Sequence, residues 1–328
     1  MRWPPTSPIR ASATTAEPTY VARIDRRNLD GILLLDKPFG LSSNQALQAA
    51  RRVFRAEKAG HTGSLDPLAT GLLPVCFGEA TKLCGLLLDA DKAYSARVRL
   101  GSRTTTGDAE GEVIATSDPG SLRLEDFRSI RDRFLGPIRQ VPPMYSALKR
   151  DGRPLYELAR AGEEVERAAR EVVIHELELI SLQDGELELT VTCSKGTYIR
   201  TLAEDLASAL GHCAHLSSLR RTRVDPFSHG QVWSLDQLRE MAEMGLESVD
   251  RVLLPMSAAV VGWPQVRVPE GVLHRFARGQ AIECPRVELA DDAAIAVMNE
   301  SGVLKGVGRI APDGRLWPRR WLGGAISA

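Results

Sequence analysis

Ile32-Leu33-Leu34-Leu35 is an unbroken apolar run, ended by Asp36-Lys37-Pro38 and Gly40. A short run bounded by turn residues predicts a buried strand followed by a turn. Ser42 or Ser43 can then cap a helix. On that helix Ala46, Leu47, Ala50, Val53 and Phe54 share one face, while Arg51, Arg52, Arg55 and Lys58 point away. Residues 94–100 alternate as a half-buried strand does, with a Gly/Thr-rich loop behind them. Leu187, Leu189, Val191 and Cys193 fall on one face of another strand. It runs into Ser194-Lys195-Gly196-Thr197, after which Ile199, Leu202, Leu206 and Leu210 recur at helical spacing. Ser234-Leu235-Asp236-Gln237 fits a capping box opening a helix that runs to about Gly245. At 255–264 the composition shifts as in a linker. Short strand-like runs follow at 266–268, 294–298 and 307–310, then an Asp313-Gly314 turn, which together predict a small β-barrel. Residues 1–28 carry Pro, Ser, Thr and scattered arginines without periodicity and read as a disordered extension.

Length and charge sharpen this outline. A chain of 328 residues is expected to hold two domains. Lys+Arg and Asp+Glu both number 42, which argues against a polybasic protein but leaves room for a local basic face. Residues 51–64 hold four bases and one acid, and residues 195–223 five bases and two acids. Residues 171–188, by contrast, hold six acids and no Lys or Arg. Such segregation suits a protein with one face toward an anionic polymer. No apolar stretch reaches 18 residues, so no spanning helix is expected, and the cytoplasm is the default location. Cys76, Cys84, Cys193, Cys213 and Cys284 are odd in number and form no C-x-x-C pair, which fits reduced thiols. His212, Cys213 and His215 come nearest to a metal cluster but lack a second ligand pair, so no metal is expected.

The densest collection of loop-forming and reactive residue types is Gly60-His61-Thr62-Gly63-Ser64-Leu65-Asp66-Pro67-Leu68-Ala69-Thr70-Gly71. Three glycines, a proline and two threonines let a backbone approach a ligand closely. A Walker A pattern is not matched, so a nucleoside-triphosphate loop is excluded. Taken alone, Asp66 before Pro67 is more readily a turn-starter than a catalytic carboxylate.

This loop resembles the catalytic loop of the bacterial tRNA pseudouridine-55 synthases, the TruB family. The likeness extends in order through GILLLDKPFGLSSN (31–44), KAYSARVRLG (92–101), VPPMYSALKRDGRPLYELARAG (141–162), GTYIRT (196–201) and Leu219-Arg220-Arg221. It implies an α+β pseudouridine-synthase fold over residues 29–256, with a mixed, mostly antiparallel sheet and flanking helices. A tRNA-binding insertion is expected at about 120–170, and a PUA-like RNA-binding β-barrel at 262–328. The implied activity is isomerisation of uridine 55 in the tRNA T-loop, on a flipped-out base, with no metal or other cofactor.

By the same resemblance Asp66 is the catalytic carboxylate, and Arg200 pairs with it and holds it ionised and oriented. Tyr94 stacks on the uracil with its hydroxyl placed to assist proton removal at C5. Tyr198 and Leu219 wall the base pocket, and His61 fills the space that the extruded nucleotide leaves. Lys37, Lys149, Arg150, Arg220 and Arg221 are RNA-binding candidates, with Arg51 and Arg52 as further phosphate contacts. Thr105 stands where Asp is common in the family, which puts a loop contact in doubt. A monomer that binds the tRNA T stem-loop, with no membrane and no obligate protein partner, is expected. The alternative from another class is a non-catalytic tRNA-binding or tRNA-folding factor on the same scaffold; a third is a synthase aimed at another RNA within a guide-RNA complex.

Overall fold

The computed structural model describes residues 25–120, 122–227, 230–283 and 293–323. Most of the expected N-terminal extension, and Cys284, lie outside them. Within them the extension ends earlier than the composition suggests. Arg27 is fixed by a two-pronged ion pair with Asp250 (2.5 and 2.6 Å) and donates from Nε to the Phe54 carbonyl at 2.9 Å.

The framework is a nine-stranded sheet. In spatial order it runs Trp233–Ser234, Gly31–Lys37, Thr70–Phe77, Ala214–Val224, Lys92–Leu100, Glu186–Cys193, Arg170–Gln183 and Gly136–Gln140, with Ala59–His61 pairing onto Thr70–Phe77. Two contacts are parallel, Trp233–Ser234 on Gly31–Lys37 and Ala214–Val224 on Thr70–Phe77, and the others are antiparallel. The unbroken apolar run at 32–35 has a physical cause: both faces of its strand are covered. Ile32 and Leu34 enter one core, and Leu33 and Leu35 enter another. The second core is roofed by the helices Ser43–Val53 and Leu235–Glu243, both opened by capping boxes (Ser42 with Gln45, Ser234 with Gln237). Ser42 therefore caps, and Ser43 is left for another task.

The core beneath the other half of the sheet gathers Tyr94, Ala96, Val98 and Leu100 from one strand, Leu187, Leu189, Val191 and Cys193 from the next, and Ile199, Leu202 and Leu206 from the helix Ile199–Ser208. Phe127 and Ile130 join it, and Gly136–Gln140 is the edge strand. The first third of the expected insertion is thus built into the core and sheet. Residues 141–169 stand apart, with a two-residue ladder (Lys149–Arg150 against Arg153–Pro154) and a short helix, Leu155–Arg160.

Two readings of the sequence change in three dimensions. The supposed linker at 255–264 holds the 3-10 turn Met256–Val260, where Ala259 and Val260 are buried in the core that also receives Ala296, Met298 and Leu304 from the C-terminal sheet. That connection is packed because its small and branched side chains complete a core between the two sheets. The acidic tract at 171–188 is partly neutralised within the sheet. Glu186 and Glu188 lie across from Arg99 and Arg97, at 3.7 and 4.0 Å. The C-terminal segment forms a four-stranded sheet, Gln265–Arg267, Ala294–Met298, Leu304–Ile310 and Leu316–Trp321, with helix Glu270–Ala277 packed on it.

Candidate active site

Residues 62–69 connect Ala59–His61 to Thr70–Phe77, and four neighbours fix their backbone. Ser43, freed from capping, donates to the Leu65 carbonyl (3.0 Å) and accepts from the Leu65 amide (2.6 Å). Gly40 donates its amide to the Pro67 carbonyl at 2.9 Å. The fully buried Lys37 ammonium donates to the carbonyls of Pro38 (2.9 Å), Leu41 and Pro67 (3.4 Å). Arg221, 1% exposed, reaches the carbonyls of Leu72 (2.7 Å), Gly63 (3.2 Å) and Ser64 (3.4 Å). Gly71 makes that approach possible. With φ of +99°, it sits where a Cβ would come within 2.3 Å of the Arg221 carbonyl oxygen.

Asp66 opens from this loop into a cleft of about 250 Å³ whose wall includes Tyr94, Tyr198, Arg200, Leu219, Lys92 and Arg221. Arg200 is the second residue of helix Ile199–Ser208 and is itself buried. Its Nη2 lies 3.0 Å from Asp66 Oδ2 and its Nη1 3.6 Å from Asp108 Oδ2. It also donates to the carbonyls of Thr106 and Tyr145, each at 2.7 Å. A cation at a helix N-terminus opposes the helix dipole, and the two carboxylates offset that cost. Asp108, 3% exposed, accepts from the Thr106 hydroxyl (2.5 Å) and the Glu110 amide (3.1 Å), so its orientation is fixed independently of Arg200. Thr105 bonds Glu112 through both its amide (2.9 Å) and its hydroxyl (3.2 Å), which keeps the loop closed without the Asp common there.

The electrostatics of Asp66 pull in opposite directions. Arg200 pulls its pKa down, as does Lys37, but burial raises it more and Asp108 adds to the rise, so the net shift is upward. Arg200 orients the carboxylate and offsets part of the cost of its charge. Burial likewise raises the phenols of Tyr94 and Tyr198. It lowers Lys37 and Lys92 to about 8 each. The nearby Arg221 guanidinium opposes the rise at Tyr94. Gln140, 2% exposed, fixes Tyr198 by a reciprocal pair, accepting from its amide (3.0 Å) and donating to its carbonyl (3.3 Å).

The structure brings Asp66, Tyr94, Tyr198, Arg200 and Leu219 to one cleft. His61 is outside its lining, on the short strand leading into the loop, with Nδ1 buried and unpartnered. Two of the RNA-binding candidates, Lys37 and Arg221, are interior cations whose side chains bond backbone carbonyls, and Arg221 also lines the cleft. Arg220 is partly engaged, by a two-pronged pair with Asp36 (2.8 and 3.0 Å), and Arg51 caps the end of its helix through the Ala56 and Glu57 carbonyls. Lys149, Arg150 and Arg52 are exposed. Sequence reasoning missed Asp108 and Gln140; an acid inside a Thr/Gly loop looks like a turn-former, and nothing local marks it as a partner for residue 200. His215 Nδ1 sits 3.0 Å from the Ser102 carbonyl, and among the described residues no His/Cys/Asp/Glu group is gathered as metal ligands.

Solved structures place this fold in a class. The chain superposes on a Cbf5-Nop10-Gar1 complex with a TM-score of 0.68, at 26% identity over 86% of this chain and 78% of that one. It matches an H/ACA RNP bound to a substrate RNA containing 2′-deoxyuridine with a TM-score of 0.70, at 22% identity over 89% and 84%. The fold is that of the pseudouridine synthases. Residues 51–199 match the TruB family pseudouridylate synthase N-terminal domain, 200–261 the tRNA pseudouridylate synthase B C-terminal domain, and 264–322 the pseudouridine synthase II TruB C-terminal family. Proteins named tRNA pseudouridine synthase B from Pseudomonas putida and Pseudomonas aeruginosa are 50% and 51% identical over 90% of this chain and 97% of their own lengths. The chain belongs to the TruB family of pseudouridylate synthases.

The upward shift of Asp66 carries a stability consequence. A carboxyl whose folded pKa exceeds its unfolded value favours the fold while protonated, and loses that contribution as pH rises through the folded pKa. Asp66→Asn is therefore expected to unfold at a higher temperature than wild type at pH 7, with the gap narrowing on acidification. Calorimetric scans across that range check both.

Proposed function

We propose that this protein converts uridine 55 of the tRNA T-loop to pseudouridine, with Asp66 as its catalytic carboxylate. The observation that carries the reading is the Asp66–Arg200 contact of 3.0 Å in a cleft walled by Tyr94, Tyr198 and Leu219. The relatives that are half identical to it over nearly their full lengths are named for tRNA.

The reaction breaks the bond between ribose C1′ and uracil N1, turns the base and joins C1′ to C5. N1 gains a proton and C5 loses one, so the atoms balance without a second substrate. Asp66 serves as nucleophile at C1′, as nucleophile at the ring, or as base at the ribose, and each of these routes needs the ionised carboxylate. Its charge is costly where it sits, which makes it reactive, and Arg200 fixes its direction. Tyr94 stacks on the base, and Tyr198 and Leu219 wall the pocket. Tyr94, with its pKa raised, keeps its proton at neutral pH, so it acts through its ring face and as a hydrogen-bonding group more readily than as a free phenolate. A uridine inside a folded loop must leave its stack at a cost of a few kcal/mol, and His61 takes up the vacated space.

RNA is held by residues 141–169, through Lys149 and Arg150, with Arg52 and a partly engaged Arg220 adding charge. The C-terminal sheet adds a further RNA contact in the manner of PUA domains. The enzyme works in the cytoplasm as a monomer without an obligate protein partner. Its higher identity to tRNA-named relatives than to the Cbf5 complex supports that independence.

Unmodified tRNA carrying tritium at uracil C5 tests the reading. Wild type should release label at one T-loop position, while Asp66→Asn should release none and bind tRNA within about tenfold of wild type. Release by Asp66→Asn would overturn the catalytic assignment. Tight binding with no release from either protein would leave an RNA-binding factor. The phosphate contacts have a separate readout. Replacing both Lys149 and Arg150 by Ala should flatten the slope of log Kd against log salt by about 1.5, as measured by filter binding from low to moderate salt.

A further inference from the structure

Phe39 is 67% exposed, yet it belongs to a turn bonded to the loop that carries Asp66. Pro38 fixes its own φ on one side of it, and Gly40, with φ of +81°, completes the turn on the other. The Gly40 amide is bonded to the Pro67 carbonyl at 2.9 Å, and the buried Lys37 ammonium ties the carbonyls of Pro38 and Leu41 to that of Pro67. The turn and the Asp66-Pro67 segment therefore form one rigid block. The turn thus sits directly against the loop that carries Asp66.

A benzyl group held out of the core on a fixed backbone loses little entropy when something covers it, and it offers a flat face to a planar partner. The partner surface is already defined, because the extruded uridine leaves unpaired neighbours whose faces have lost their stacking. A charged group would meet the phosphates instead. Of the cations near this turn, Lys37 is engaged with carbonyls and Arg220 with Asp36. We propose that Phe39 stacks on an unpaired base of the RNA loop adjacent to the extruded uridine. Phe39 is thus a substrate-positioning residue, outside the reacting centre. The inference rests on the proposed RNA isomerisation.

Steady-state tritium release and stem-loop binding with Phe39→Ala, Phe39→Leu and Phe39→Tyr test it. Removing the ring should raise KM and Kd about tenfold, with kcat changed by less than about twofold; Tyr should restore both and Leu should not. Because the ring is exposed, the unfolding temperature should stay at the wild-type value. An abasic residue placed in turn at each unpaired position beside the target identifies the partner. At one position the loss in wild type should match that of Phe39→Ala, and the variant should lose nothing more. Additive losses at every position, an unchanged Kd for Phe39→Ala, full rescue by Leu, or a lowered unfolding temperature would each overturn the proposal. Wild-type release in the same assay separates these outcomes from failure of the isomerase reading itself.

Discussion

Arg200 is the constraint on which the rest of the site depends. A guanidinium buried at the start of a helix needs anions and carbonyls arranged around it, and its surroundings supply Asp66, Asp108 and two main-chain oxygens. These come from three places in the chain that share nothing locally, the 62–69 loop, the Thr/Gly loop after Lys92–Leu100 and the segment after Gly136–Gln140, and Arg200 ties them to a fourth, its own helix. Fixing one group therefore fixes the mutual placement of all four. The second interior guanidinium, Arg221, does similar work from the opposite side by gathering the carbonyls of Gly63, Ser64 and Leu72. The loop bearing Asp66 is thus held by cations at both ends, and the carboxylate is the one member left open to a ligand.

That arrangement is costly, and the sheet bears the cost. Burial raises Asp66 despite two nearby cations, and Lys37 and Lys92 are both lowered to about 8. Such strained charges persist because the strands carrying the loop are covered on both faces. Ile32 and Leu34 pack toward the C-terminal sheet, while Leu33 and Leu35 pack under the two capped helices. The C-terminal sheet is consequently part of what steadies the loop, through the packed turn at Met256–Val260.

Much of this was legible in the sequence, for reasons tied to range. Apolar period and caps gave the strands Gly31–Lys37 and Lys92–Leu100 and the helices after Ser42 and Ser234, since these depend on neighbours a few residues apart. The members of the cleft were named through ordered motifs resembling a family; composition alone would have left Asp66 a turn-starter. What failed was sidedness. Lys37 and Arg221 look like any surface base, and only long-range packing turns them inward onto carbonyls. Asp108 and Gln140 were missed for the same reason, because their partners lie 92 and 58 positions away in the chain.

The central claim is that Arg200 sets the direction of Asp66 and offsets part of the cost of its charge. The pH dependence of kcat/KM for tritium release, compared between wild type and Arg200→Gln, tests it most directly. Activity that needs the carboxylate falls as pH drops through the Asp66 pKa. The wild-type acid limb should lie above the ordinary aspartate value of 3.8. Loss of the guanidinium removes a lowering influence, so the variant's limb should move to still higher pH along with a large fall in the plateau rate. A limb that stays in place, or moves to lower pH, would contradict the account.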